Sequence, residues 1–151
     1  MEISAKTDYA IRASLVLASR APELVKVDQV AAEQELPRKF VEAILGELRR
    51  AGIVRSRRGA EGGYTLARAP GEVSLGEIMR AVDGPLAEVR GQRPDQVVYG
   101  GVARYLPQVW VAMRASLRHV LDGITLAHIV SGDLPAHVRV LLEQPGAWQS
   151  A

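Results

Sequence analysis

The chain has 151 residues, of which 48% are hydrophobic, and its formal net charge is +2. This length fits one domain, or one domain with an added oligomerisation element, and the single phenylalanine requires a mainly aliphatic core. The absence of cysteine excludes disulfides, thiolate nucleophiles and cysteine-ligated zinc or iron–sulfur clusters. No apolar run is long enough for a membrane span and no signal-peptide core is recognisable, so we expect a cytoplasmic protein.

Three helices are predicted in the first third of the chain. One-faced apolar spacing predicts a helix from Thr7 to about Arg20, which Ala21-Pro22 ends. A short helix from about Val27 to Glu33 follows. The third helix runs from Pro37, which suits a first helical position, to Ala51, and Gly52 stops it. The buried face of this third helix is expected to consist of Phe40, Val41, Ile44, Leu45 and Leu48.

A segment rich in glycine and arginine comes next. The ten residues RSRRGAEGGY, residues 55–64, contain three arginines and three glycines, and they predict the tip of a β-hairpin over residues 53–67. Residues 36–68 hold eight basic side chains against three acidic ones, a charge of +5, while the rest of the chain is about −3. The hairpin is either a solvated finger that happens to be basic or an element that touches a polyanion.

Two short helices joined by a tight turn and followed by a basic hairpin are typical of a winged helix-turn-helix. In that fold the second of the two helices enters the DNA major groove. The alternative is an ordinary amphipathic helix with solvated charges, and the basic hairpin beside it favours DNA. The predicted DNA-contacting residues are Arg38, Lys39, Glu42, Ala43 and Arg49 on the helix, and Arg55, Arg57, Arg58, Gly59, Gly62, Gly63 and Tyr64 on the hairpin.

The second half of the chain suggests dimerisation. The capping-box pattern Ser74–Glu77 begins a helix through Val82, which Gly84-Pro85 ends, and a long polar loop follows over residues 85–106. Pro107 opens a long helix to about Asp122. Its apolar stripe is expected to pack against a second copy of the chain, or alternatively to cover the chain's own core. The stripe consists of Trp110, Met113, Leu117, Val120 and Leu121.

The predicted fold is therefore mainly α with a small β-hairpin wing: a winged helix-turn-helix plus a long C-terminal dimerisation helix. The DNA-binding domain covers residues 1–84, the loop residues 85–106, and the dimerisation helices residues 107–133, including a short helix over residues 125–130. Residues 134–151 show no strong pattern, and we expect their end to be mobile.

Three stretches of the sequence resemble the Rrf2 family of bacterial winged-helix transcription regulators. They are TDYAIRASLVLA, FVEAILGELRRAGIVRSRRGAEGGYTLAR and VSLGEIMRAVDGPL, and the resemblance extends over about residues 3–130. It implies a dimeric repressor or activator that binds an imperfect DNA palindrome, and of the two we expect a repressor. It also implies that Lys39, Glu42 and Ala43 face bases and that Arg58 reaches the minor groove.

The chain departs from the family in one region. Cluster-binding members carry three cysteines after the GPL motif, whereas here the region reads GPLAEVRGQRPDQVVYGGVARYLPQVW. The resemblance therefore implies a cluster-independent member with no cofactor. Asp8 matches a cluster ligand of one branch, but it is expected simply in the first turn of the first helix.

One hypothesis for the loop over residues 85–106 is that it binds a small ligand or a partner protein. The alternative is a plain solvated connection. The hypothesis depends on the cationic and aromatic residues Arg90, Arg93, Arg104, Tyr99, Tyr105 and Trp110.

Enzymatic interpretations find little support. His119, His128 and His137 are nine residues apart, which is not a metal-ligand spacing on one helix face. The sequence GAEGG lies within a hairpin and not between a strand and a helix, and no serine has a nucleophile-elbow pattern. We therefore predict no catalytic residue and no metal site. The alternative function is a winged helix that serves only as a protein-interaction module.

Overall fold

The structure, a computed structural model, describes residues 1–150; Ala151, the end of the predicted tail, lies outside them. The α-helices and strands in chain order are α1 (Ala5–Ser19), α2 (Val27–Gln34), α3 (Arg38–Arg50), β1 (Val54–Arg57), β2 (Gly63–Leu66), α4 (Leu75–Asp83), α5 (Leu106–Asp122), α6 (Leu126–Ser131) and α7 (Ala136–Leu142). Short 3₁₀ turns occupy Pro70–Glu72, Pro94–Gln96 and Gly101–Ala103. The predicted fold class, mainly helical with a two-stranded hairpin, is confirmed.

Local signals define the boundaries of the first three helices. The Ser4 hydroxyl accepts a hydrogen bond from the Thr7 amide at 3.0 Å and so caps α1, with Asp8 in the first turn as expected. Helix α2 ends at Gln34, and the capping residue Glu35 has a left-handed backbone with φ of 52°. Pro37 then occupies the N-cap position, immediately before the first residue of α3. Each predicted helix lies within two residues of the observed one.

The core is aliphatic and lies among α1, α2, α3, α4 and the hairpin. Its fully buried side chains come from every one of these elements, and α6 adds one more. The largest are Leu17, Leu45, Leu48, Ile53, Ile78 and Leu126. This core holds α3 rigidly against α1 and α2, so the outward face of α3 has a defined orientation.

The hairpin is attached to the body by a third extended segment. Strands β1 and β2 pair antiparallel from Val54 with Leu66 to Arg57 with Gly63. Val25 and Tyr64 then exchange two backbone hydrogen bonds of 2.8 Å, which fasten β2 to the chain just before α2. The basic finger is therefore built onto the helix-turn-helix.

Two glycines of the hairpin allow close backbone approaches. A Cβ atom at Gly62 would lie 2.1 Å from the Arg57 carbonyl oxygen. At Gly63, where φ is +152°, it would lie 2.7 Å from the Val25 carbonyl oxygen. Both contacts are with backbone atoms that cannot move aside, so these positions require glycine.

The expected burial of Phe40 is wrong. The other four residues of the predicted face are buried, but the Phe40 side chain is 59% exposed. At 100° per residue the buried stripe is centred near Val41, Leu45 and Leu48, and Phe40 projects about a quarter turn away from it. Because α3 begins only two residues earlier, this flank extends past the edge of the core.

The capping box predicted at the start of α4 is half formed. The Ser74 hydroxyl accepts a hydrogen bond from the Glu77 amide at 3.1 Å. The Glu77 carboxylate does not return to Ser74 and instead pairs with Arg68. The long-range ion pair therefore replaces the reciprocal local bond.

Helices α5 to α7 form the second half of the fold. Helix α5 begins at Leu106, one residue before the predicted start, and contains no buried residue. The predicted short helix is observed as α6, capped by Thr125. Helix α7 lies in the tail for which the sequence predicted no element, and its Val138 is buried. Within residues 1–150, no helix combines the length and apolar character that a membrane span requires.

Candidate nucleic-acid interface

Helix α3 presents a polar surface at its N-terminal end, where an ion-pair network joins it to α2. Arg38 Nε lies 2.5 Å from Asp28 Oδ1, and Arg38 Nη1 lies 2.9 Å from Glu42 Oε2. These carboxylates raise the pKa of Arg38 above its ordinary value, first through the hydrogen bond to Asp28. Arg38 is therefore held in one orientation, and Glu42 is already an acceptor in the free protein.

A groove of about 350 Å³ separates the start of α2 and α3 from the hairpin. Eight of the twelve predicted DNA-contacting residues line it: Arg38, Arg49, Arg57, Arg58, Gly59, Gly62, Gly63 and Tyr64. Lys26 and Asp28 lie beside them, and Arg49 Nη1 lies 3.3 Å from the Ser56 hydroxyl, which links α3 to β1. The helix and the wing thus share one strongly cationic groove.

The other four predicted residues lie outside this groove. Lys39 and Glu42 are exposed on α3, and Arg55 lines a separate depression with Pro22 and Leu24. Ala43 is exposed on the flank of α3 that carries Phe40.

Apart from Arg38, the cations of this surface stand out because acidic side chains do not neutralise them. Most arginines and lysines elsewhere in the fold have a carboxylate within 4 Å. Among residues 1–150, the cationic side chains without an ion pair are Lys26, Lys39, Arg49, Arg50, Arg55, Arg57 and Arg58, and outside this region only Arg90 and Arg104. This concentration of uncompensated positive charge on α3 and the wing attracts a polyanion.

Phe40 is a surface residue that the sequence interpretation missed. Its ring packs edge-on against Tyr9, with 6.4 Å between centroids, and it borders an apolar groove with Ala43 and the Lys6 stem. An exposed aromatic ring and a methyl group on a recognition helix can contact a thymine methyl group. The signal was available in the sequence, since Phe40 is at the margin of the apolar stripe.

The three arginines of the loop predicted as a sensor have different surroundings. Arg93 binds Asp95 with two hydrogen bonds of 3.0 and 2.9 Å, and the Arg104 guanidinium lies 4.7 Å from the Tyr105 ring centroid. Arg90 is exposed. The hypothesis that the loop binds a small ligand or a partner protein stays a prediction.

The three histidines do not form a common site. His119 and His137 lie side by side with ring centroids 4.8 Å apart, whereas His128 Nδ1 accepts a hydrogen bond from the Thr125 amide at 3.0 Å and serves as a helix cap. No three His, Asp or Glu side chains within residues 1–150 come together as a metal site.

A rigid helix-turn-helix, a glycine-dependent wing and a shared cationic groove define a winged-helix DNA-binding protein. The sequence profile of the Rrf2 family, described as an iron-dependent transcriptional regulator, matches residues 3–132. The chain belongs to this family of transcriptional regulators. It is accordingly a regulator and not an enzyme.

Similar proteins agree with this assignment over most of their length. Rv1287 of Mycobacterium tuberculosis, which carries the name of an HTH-type transcriptional regulator, is 45% identical over 99% of this chain and 94% of its own. The structure of CymR, the global cysteine regulator of B. subtilis, has a TM-score of 0.74 at 28% identity and covers 87% of this chain and 98% of its own. T. potens IscR has a TM-score of 0.71 at 32% identity, covering 87% and 88%.

A cysteine-ligated iron–sulfur cluster does not fit the residues of this chain. Iron–sulfur clusters are built on cysteine thiolates, and the sequence has none. The loop before α5 offers arginine, tyrosine and glutamine side chains and no thiolate ligand.

Proposed function

We propose that the protein is a homodimeric, cluster-independent repressor that binds a palindromic DNA operator in the cytoplasm. The observation that carries this proposal is the set of cations on α3 and the wing that have no acidic partner. A protein that only docked other proteins through its winged helix would have little reason to leave this surface uncompensated, because neighbouring like charges destabilise the free fold.

Helix α3 is proposed to lie in the major groove. Lys39 is exposed and free of ion pairs within residues 1–150, so it can approach a phosphate or a guanine. Ala43 and Phe40 offer apolar contacts to thymine. The Glu42 carboxylate accepts a hydrogen bond from cytosine N4, and Arg38, which already donates to this carboxylate, keeps it oriented.

The wing is proposed to reach the adjacent minor groove. Arg57 and Arg58 directly precede Gly59 in the turn and are exposed in the free protein. A narrow minor groove has an enhanced negative potential that attracts inserted arginine side chains. The pairing of Tyr64 with Val25 fixes the angle of the wing relative to α3.

Dimerisation is proposed to occur through α5. None of the 17 residues of this helix is fully buried, and its apolar stripe is only half buried within one chain. Leu117, Val120 and Leu121 border an apolar groove of about 300 Å³ with Met79 and Leu86. A second copy packed on this face would bury it and place two α3 helices symmetrically, which requires a palindromic operator.

The proposed effect on transcription is repression, because a dimer bound over a promoter blocks the access of the polymerase to that promoter. No role is assigned to a cofactor, since the chain lacks the thiolates of a cluster.

The test is a titration of the purified full chain with DNA. Operator sequences are first selected from random duplexes and then measured by fluorescence anisotropy at several salt concentrations. We expect a preference of at least about a thousandfold over random DNA and a linear fall of log affinity with log salt. Selected sites should be palindromic, and the bound mass should equal two chains per duplex.

Glu42→Ala provides the matched test of base reading. It should relax the preference at one position of each half-site with little change in the salt slope, whereas Lys39→Ala should weaken all sequences similarly. A folded wild-type chain that binds no duplex at low salt would reject DNA binding and leave the protein-interaction module as the explanation.

A further inference from the structure

A second cationic feature lies where α4 meets α5 and shares no residue with the groove beside the wing. It is a cleft of about 460 Å³ lined by Arg80 from α4, Arg114 and Arg118 from α5, and the connecting residues Gly84, Pro85 and Leu86. We refer to these six residues as the arginine cleft. Its volume falls in the range of small-molecule sites, and no carboxylate lines it.

The carboxylates nearby do not neutralise the cleft. Asp122 is shared between Arg80, at 2.8 Å, and Arg118, at 3.6 Å. Asp95 lies 3.7 Å from Arg114 Nη1, but its two oxygens already accept hydrogen bonds from Arg93. Two carboxylates therefore face four guanidinium groups.

The next carboxylate along the chain is also engaged elsewhere. Asp83, which directly precedes Gly84, accepts hydrogen bonds from the hydroxyls of Ser4 and Thr7. It therefore ties α4 to the start of α1 and leaves the excess charge of the arginine cleft in place.

Hydrogen-bond donors beside the cleft lack acceptors. Arg114 Nε is buried without a hydrogen-bond partner within residues 1–150, and so is Trp110 Nε1, one turn earlier on the same stripe of α5. A buried donor without an acceptor is costly, above all on a charged group. An oxyanion in the cleft would accept from Arg114 and from the two arginines beside it.

We infer that the arginine cleft binds a small dianion that carries a phosphate or two carboxylates. Guanidinium groups match both chemistries because their paired N–H groups bind two oxygens at once. Pro85 and Leu86 supply an apolar wall for the carbon part of such a ligand. The site is distinct from the cationic groove between α3 and the wing and uses none of its residues.

The position of the cleft suggests how binding would act on the proposed regulator. The Asp122 carboxylate lies so close to α4 that a Cβ atom at Gly76 would be 2.0 Å from its Oδ1. A dianion would compete with Asp122 for Arg80 and Arg118 and thereby shift α5 relative to α4. Because α4 packs against α1 and α3, the shift would change the spacing of the two α3 helices; this step rests on the proposed function.

Binding is tested directly on the full chain by calorimetry with inorganic phosphate and with succinate, each compared with sodium chloride at equal ionic strength. We expect saturable binding of at least one probe. A response to phosphate alone assigns a phosphate-bearing ligand, and a response to succinate alone assigns a dicarboxylate. Absence of saturable binding of either probe at millimolar concentration would overturn the inference.

Variants locate the site. Arg114→Gln and Arg118→Gln should weaken probe binding by about tenfold or more, and the control Arg90→Gln, which removes the same charge from the exposed loop, should leave it unchanged. Arg118 is more than half exposed, so its variant tests the site even if Arg114→Gln fails to fold. Equal probe affinity in wild type and Arg118→Gln would overturn the inference.

The regulatory step has its own readout. Saturating probe should change operator affinity of the wild type by about fivefold or more and leave that of Arg118→Gln unchanged. A probe that binds without changing operator affinity would refute the coupling. A probe that binds to a chain with no DNA affinity at all would refute the proposed function and leave the arginine cleft as a ligand site.

Discussion

Arg58→Ala is the sharpest test of the wing. Arg58 is exposed next to Gly59 and forms no ion pair within residues 1–150. Removing its side chain therefore breaks no ion pair in this part of the fold, and we expect the free energy of unfolding to change by less than about 0.5 kcal/mol. Any loss of operator affinity then reports the contact with DNA.

The expected loss follows from the exposure of this side chain. An arginine contact in a narrow minor groove contributes roughly 1–3 kcal/mol, and a solvated arginine at a hairpin tip gives up rotamer freedom of up to about 2 kcal/mol when it binds. Each copy should therefore contribute near the lower limit, and the two copies of a dimer together about 1–3 kcal/mol. Operator affinity should fall roughly 5- to 150-fold.

The assay is fluorescence anisotropy with the selected operator over a series of salt concentrations. The slope of log affinity against log salt should become shallower by about one for each Arg58 that is removed. Arg90→Ala is the matched control because Arg90 is likewise exposed and free of ion pairs in the described part of the chain. We expect the control to change neither the affinity nor the slope.

The assignment of the wing would be refuted by equal operator affinity in wild type and Arg58→Ala while both are folded. Equal losses in Arg58→Ala and Arg90→Ala would also refute it, since they would show a response to net charge alone.

Three further predictions concern the fold and the assembly. Leu117→Asp should place an unpaired charge on the α5 face and give monomers in light scattering. The wild type should give twice the chain mass of 16.3 kDa. A monomeric wild type at micromolar concentration would contradict the dimer. Gly62→Ala should displace the hairpin and lower operator affinity with little loss of helical circular dichroism, and unchanged affinity would show that the turn adapts. Asp83→Ala should lower the free energy of unfolding by about 1–2 kcal/mol because the buried Thr7 hydroxyl loses its acceptor. The hydrogen bonds from Ser4 and Thr7 lower the pKa of Asp83. The difference in unfolding free energy between wild type and variant should therefore be present in full near neutral pH and disappear as pH falls through the folded-state pKa of Asp83. A difference that persists in acid would contradict this account.

The sequence by itself determined the elements of the DNA-binding half, because their signals are local. The apolar period of the helices, the proline before α3 and the glycine after it, and the glycine-rich turn act within a few residues of one another. The resemblance added the identity of the wing and of the helix that faces DNA.

Local patterns were weaker where an element is short or a residue is marginal. Helix α7 has seven residues and one buried side chain, so its apolar period is too brief to be recognised. Phe40 lies at the edge of an apolar stripe, and its exposure depends on how α3 packs against α1, where its ring meets Tyr9.

Only the tertiary structure decided which charges are neutralised. Arg80 and Asp122 are far apart in the sequence and meet because α4 packs against α5, and Arg68 meets Glu77 because the chain turns between β2 and α4. The same packing leaves the cations of α3 and the wing without partners. A salt bridge depends on a separation of a few ångströms between side-chain ends, and composition or spacing along the chain does not determine that separation. The cationic groove and the arginine cleft therefore became visible only in three dimensions.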